Sequence, residues 1–164
     1  MKNKRPLAAL VGVGLLCLAQ AWYYSSRLPV RVASHFGANG AANAWMGREQ
    51  FLGFYLGVIG FLLAVFLLIS AGVAWLGPGA MNLPNKDYWL APERRQRTQD
   101  FVSGSFLWFG AATLLLMLDV FHQVFQFNLG ESGALAHPLG SLAAYAAFAA
   151  AWAVRFGLKF SRRS

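Results

Sequence analysis

GPGAMNLPNKDYWLAPERRQRTQD runs from Gly77 to Asp100 between two long apolar runs, and its reading decides the fold. It carries seven charged residues and three of the chain's six prolines. A charged side chain costs several kcal/mol at the centre of a bilayer, so this stretch cannot lie in hydrocarbon. It reads as a polar hinge with an apolar helical hairpin on either side.

Composition sets the class. Of 164 residues, 57% are hydrophobic and only 12% charged, and the mean hydropathy is +0.46. A soluble chain carries about 25% charge, so a soluble domain is excluded. The net charge of +8 points to an anionic partner. Its basic residues flank apolar spans instead of lining one face, which assigns that partner to membrane lipid and not to nucleic acid. The single Cys17 lies in an apolar run; it reads as a small buried hydrophobe and rules out an intrachain disulfide.

Outward from the hinge, four spans are expected, at about 7–24, 51–76, 101–126 and 139–156. The first follows a basic lead of Lys2, Lys4 and Arg5. It also has the form of a secretory signal with Ala19-Gln20-Ala21 as the cleavage site, but Trp22 and Tyr23 suit an interfacial belt on a retained helix. The second, 26 residues, makes about 39 Å of helix at 1.5 Å per residue. It exceeds a hydrocarbon core of about 30 Å and is expected to tilt or protrude. Gly53 and Gly57 suit close helix packing, as do the alanines of the fourth span. Gly77-Pro78-Gly79 is expected to stop the second helix, and Pro138 to close the connection 127–138. The expected fold is all-α: one integral membrane four-helix bundle over residues 1–164. Self-association through the glycine and alanine faces would make it a homo-oligomer.

Lys and Arg counts orient it. The N-terminal lead, the central loop 77–100 and the C-terminal tail (Arg155, Lys159, Arg162, Arg163) together hold eleven. The connections 25–50 and 127–138 hold only Arg27, Arg31 and Arg48. The positive-inside rule then places both termini and the central loop in the cytoplasm.

That orientation gathers the histidines on the outer side: His35 in the first outer loop, His137 in the second, and His122 near the outer end of the third span. Asp119 lies three residues before His122, so the two are expected on one helical face, and intramembrane ionisable groups read as functional. With His35 they offer two nitrogens and a carboxylate, ligand types that zinc accepts with an open fourth position. The same trio can move protons. Against a metal stands the lack of a closely spaced His pair, and hydrogen bonding at headgroup level is the better account of Asp119 and His122. Glu131 reads as a solvated loop residue.

The first outer loop spreads His35, Phe36 and Trp45 among the bends of Gly37, Asn39-Gly40 and Gly47. Such a loop can bind an anionic headgroup, a peptide or a partner protein, or simply anchor through Phe36 and Trp45. The central loop offers Asn82, Pro84, Asn85, Lys86, Asp87, Tyr88 and Trp89, then Glu93, Arg94, Arg95 and Arg97. Most of this composition suits a cytoplasmic interface that attracts anionic lipid. Two Asn and a Pro before an aromatic pair indicate a specific folded turn as well. No glycine-rich phosphate loop, Cys cluster or Gly-x-Ser-x-Gly element supports a standard enzyme.

The set Leu28-Pro29, His35-Phe36, Gly40 and Trp45 resembles the short domain of unknown function at the start of SdpI-like bacterial membrane proteins. The run 82–94, NLPNKDYWLAPER, resembles the companion motif of many proteins carrying that domain. The likeness extends over roughly the first hundred residues. Two departures stand out: Gly37 where the family often has Asn or Asp, and Ala42-Asn43 where Pro-Asp commonly precedes the aromatic. The resemblance implies a small multi-span protein of the bacterial inner membrane. Its best-known member type confers immunity to a secreted peptide toxin and signals by sequestering a repressor at the membrane. Two functions follow as expectations. One is a non-enzymatic envelope sensing, signalling or immunity module that binds a peptide or lipid through His35, Phe36, Asn39, Gly40 and Trp45, coupled to the inner-loop residues. The other is a small intramembrane enzyme or carrier for a lipid-linked substrate, using Asp119, His122 and His35.

Overall fold

A computed structural model describes residues 3–37, 39–75 and 81–161. The Gly77-Pro78-Gly79 stop, Lys2, Arg162 and Arg163 lie outside the described residues. The fold is all-α. Four long helices carry it: α1 (Lys4–Ser25), α2 (Arg48–Trp75), α4 (Pro92–Asn128) and α5 (Pro138–Ser161). A one-turn helix α3 (Lys86–Trp89) and a two-stranded antiparallel hairpin, β1 (Arg31–Phe36) and β2 (Ala42–Gly47), occupy opposite ends. All four long helices are long and apolar enough to cross a membrane, the mark of a multi-pass membrane protein. Trp22 is 80% exposed near the hairpin end of α1, and Trp75 is 88% exposed at the far end of α2. Two such rings, one at each end, suit the two interfacial belts of a bilayer.

α4 is the spine, packed against α1, α2 and α5. It begins at Pro92, whose fixed φ and missing N–H suit a first helical position. The expected third span began near residue 101, so the charged run Glu93–Arg97 belongs to the first turns of this helix and not to a loop. Its 37 residues make about 56 Å of helix at 1.5 Å per residue, far more than a hydrocarbon core. The charged turns therefore project beyond the apolar part. Pro138 likewise opens α5 instead of closing the preceding connection.

Two packing expectations are revised. A Cβ added at Gly53 or Gly57 would meet nothing within 4 Å, so this pair faces away from the bundle. The close approach occurs elsewhere: a Cβ at Gly110 of α4 would lie 2.5 Å from the Phe66 ring of α2, and one at Gly14 would lie 3.1 Å from Leu63. In α5 every alanine but Ala149 is exposed. Its contact with α4 is an aromatic stripe of Tyr145, Trp152, Phe156 and Phe160, with Trp152 against Phe109 at 4.7 Å and Phe160 against Phe101 at 5.8 Å.

α1 is held by a polar seam inside the apolar core. Gln20 donates to the Leu118 carbonyl at 3.0 Å and accepts from Tyr55 of α2 at 2.7 Å. Leu10, Cys17 and Tyr24 of α1 are all buried in the same cluster. Of Ala19-Gln20-Ala21, Ala21 is buried against the bundle, Gln20 is half-buried and Ala19 is exposed.

Replacement of Gly110 by Ala should cost about 1–3 kcal/mol, the range for overpacking a core. Replacement of Gly57 by Ala should stay within about 0.5 kcal/mol. Thermal unfolding in a mild detergent measures both, and equal melting temperatures for the two variants would contradict this packing.

Candidate functional site

The first connection folds as a hairpin because its tip supplies the turn chemistry. Gly40 adopts φ +75°, a conformation that favours glycine. Asn39 Oδ1 accepts from the Ala41 N–H at 3.1 Å, and the Gly37 N–H closes onto the Ala41 carbonyl at 2.9 Å. Register shifts interrupt the pairing on either side of His35, between Ala33 and Phe36. His35 Nδ1 meets Asn43 Oδ1 at 2.5 Å across the strands. Asn43, one of the two residues standing in place of Pro-Asp, thus meets His35 across the hairpin.

The hairpin is fastened to the bundle. Asn128, the last residue of α4, accepts from the Ala33 N–H at 2.7 Å and donates to the Ala33 carbonyl at 3.1 Å. One carboxamide thus stands where a third strand would pair with β1. Val32 is fully buried in the main core, and Phe36 meets Phe127 edge-on at 4.9 Å. At the tip, a Cβ on Gly40 would lie 3.3 Å from Ala134 in the α4–α5 connection.

These anchors divide the expected binding residues. Phe36 and Gly40 dock the hairpin, and Asn39 shapes its turn. The exposed face is left with Arg31, His35 and Trp45, the last 49% exposed, with the Arg31 guanidinium 5.9 Å from the Trp45 ring. The other two arginines are engaged locally. Arg27 bonds the Tyr23 carbonyl and lies over its ring at 3.7 Å, and Arg48 donates to the Leu28 carbonyl at 3.3 Å.

Asp119 and His122, expected on one helical face, turn to different neighbours. Asp119 Oδ2 accepts from Ser141 of α5 at 2.5 Å and from Gln123 at 2.8 Å. His122 Nδ1 pairs with the Tyr24 hydroxyl of α1 at 3.2 Å. The carboxylate thus turns to one neighbouring helix and the imidazole to the other, while His35 sits on the exposed strand. Among the described residues no three His, Cys, Asp or Glu side chains could hold a metal ion. His35, Asp119 and His122 therefore do not assemble the expected ligand set. Exposed Asp119 and half-buried Ser141 instead line a cavity of about 380 Å³ between α4 and α5, with Tyr145 beside them.

At the far end the run 82–94 also divides. Asn85, in the left-handed region at φ 53°, donates to the Phe160 carbonyl at 3.1 Å, and so does the Trp89 indole at 3.1 Å. Both satisfy backbone carbonyls at the end of α5 that lack intrahelical partners. Arg94 donates to the Tyr88 carbonyl at 2.8 Å and lies over its ring at 4.0 Å. These four residues are structural. Asn82, Pro84, Lys86, Asp87 and Glu93 remain exposed.

The polar residues that sequence reasoning passed over are Gln20, Tyr55, Gln123 and Asn128. Their signal was available: a polar side chain inside an apolar run needs a partner that water cannot supply.

Against known proteins, residues 11–61 match the model of a domain of unknown function, DUF1648. The match takes in most of α1, the whole hairpin and the first half of α2, and it ends before the run 82–94. No curated protein and no solved structure matches the chain significantly.

Replacing Asn128 by Ala removes two hydrogen bonds to Ala33, each worth about 1 kcal/mol. Hydrogen exchange should accelerate across 31–36 with α2 unchanged. Unaltered protection of β1 would show that the carboxamide is not its anchor.

Proposed function

We propose that this is an SdpI-like protein of the bacterial inner membrane, acting as a non-enzymatic envelope sensing, signalling or immunity module. Its recognition surface is the exposed face of the hairpin, which takes a peptide or a lipid headgroup. The observation that carries this reading is the division of labour around β1 and β2. Buried Val32 and half-buried Phe36 and Asn128 fasten the hairpin, while Arg31, His35 and Trp45 are left outward without an anchoring task. A rigid support with exposed cationic and aromatic groups is the composition of a binding surface, where Trp and Arg supply most of the affinity. The match to DUF1648 over this segment supports the same assignment at the level of the domain. The surplus of basic residues at the α3 end supports a cytoplasmic location for that end, with the hairpin facing out.

The second reading, an intramembrane enzyme or carrier, rests on Asp119 and Ser141 in their cavity. The separation of Asp119 from His122 weighs against it, because a general acid–base pair needs both groups within reach of one substrate. Full function in Asp119→Asn would exclude it.

The orientation has a direct measurement. Cys17, the only cysteine, is fully buried, so labelling of introduced cysteines has a low background. A membrane-impermeant maleimide should label Asn43→Cys in intact cells and leave Asp87→Cys unlabelled until lysis. The opposite pattern would invert the topology.

The function is tested by challenging cells that carry or lack the protein with a panel of membrane-active toxin peptides. Protection is expected from the wild type and should be lost in His35→Ala/Trp45→Ala, with membrane insertion unchanged. Protection that survives the double substitution would remove the hairpin from the mechanism. A wild type that protects against none of the panel would overturn the immunity reading.

A further inference from the structure

α1 and α5 both pack on α4 and leave a groove between them, away from the hairpin. Its volume is about 720 Å³. It joins the cavity beside Asp119, since Ala112, Leu115 and Phe148 border both. The walls are mostly apolar, with Trp108, 52% exposed, and Trp152 among them. From Phe101 to Leu115 the groove follows 14 residue steps of α4, about 21 Å at 1.5 Å per residue. That exceeds half of a hydrocarbon core of about 30 Å. The polar lining gathers towards one end: Asn3, Asp100, Ser105 and Arg155.

From this geometry we infer that the groove is a binding site for one phospholipid of the adjacent leaflet, its acyl chain along α4 and its phosphate on Arg155. Three observations carry the inference. The groove opens sideways on helices of membrane-spanning length, where the medium that fills an apolar channel is hydrocarbon. Its length matches one leaflet's chain, with the polar end at the level where α4 passes from apolar to charged sequence. Arg155 is exposed on that rim, and among the described residues it has no hydrogen-bond or ion-pair partner. A guanidinium at an interface binds phosphate by two parallel hydrogen bonds.

The surrounding charge agrees. Lys4, Arg5, Arg97 and Lys159 belong to the same end of the bundle and favour an anionic headgroup. Asp100 shares the rim, its carboxylate accepting from Gln96 at 3.1 Å and its backbone carbonyl from Asn3 at 2.9 Å. The headgroup that fits is anionic and presents its phosphate to Arg155. The site lies outside the hairpin, and the inference does not depend on what the hairpin binds.

Native mass spectrometry of the full chain tests it. The protein is reconstituted in nanodiscs of equal parts phosphatidylethanolamine, phosphatidylglycerol and phosphatidylcholine, then released. The wild type should retain one phospholipid per chain, enriched in phosphatidylglycerol, the anionic lipid of the three. Retention of phosphatidylcholine as readily as phosphatidylglycerol would overturn the anionic headgroup. Ala112→Trp, which fills the middle of the groove, should abolish retention. Arg155→Gln, at an exposed position that does not threaten folding, should lower occupancy about tenfold, the factor expected for one charge-assisted contact. Unchanged occupancy in Arg155→Gln would overturn the site whether or not Ala112→Trp folds. A dimer or a bound protein that disappears in Ala112→Trp would overturn it too, by giving the groove another occupant.

Discussion

Side-chain amides join the segments of this protein at the points where hydrocarbon packing alone cannot. Gln20 donates to the Leu118 carbonyl, Gln99 to Val73, Asn3 to Asp100 and Asn85 to Phe160, each across two elements. Gln123 accepts from the His137 N–H at 2.8 Å, and Asn128 takes both backbone groups of Ala33. An unpaired polar group inside a membrane protein costs several kcal/mol, so each amide has few alternative placements. Among the described residues no buried side-chain nitrogen or oxygen is left unpaired. Apolar contacts between helices gain little over contacts with lipid, whereas these amides specify which segments meet and at what height.

α4 is the common template for those bonds. Its first turns accept α3 and the end of α2, its middle accepts α1, and its last residue accepts the hairpin. Residues therefore act at positions remote from their apparent motif. Trp89 sits in a basic, aromatic run that resembles a binding loop, yet its indole closes the end of α5, with Lys159 over its ring at 4.7 Å. His35, in the other motif, keeps an exposed position. The two motifs look equivalent in composition, and burial separates them.

The helical spans were legible because charge and apolarity alternate along the chain in blocks longer than a bilayer is thick. The hairpin was not. Segment 25–50 is rich in Gly, Ala and Asn, lacks the β-branched alternation of an ordinary strand, and forms β1 only because Asn128 and Val32 bind it to the bundle. The glycines misled for a related reason: Gly53-xxx-Gly57 has the right spacing but the wrong face, and Gly110, without any motif, receives Phe66. Spacing along one helix defines a stripe, while the neighbour that meets the stripe is set by the other helices. Asp119 and His122 diverge on the same ground, one turned to α5 and the other to α1.

The sequence by itself determined that the chain is a multi-span helical protein with its polar weight in the middle and at the ends, because the cost of charge in hydrocarbon is local and additive along a chain. It also marked the turn at Asn39-Gly40 and the residues that resemble a known domain. Tertiary structure alone decided which polar residues are structural and which are presented outward. It separated His35, Asp119 and His122, and it opened the groove between α1 and α5. Those outcomes depend on the relative rotation and height of helices distant in sequence, which amide bonds and close glycine contacts set together.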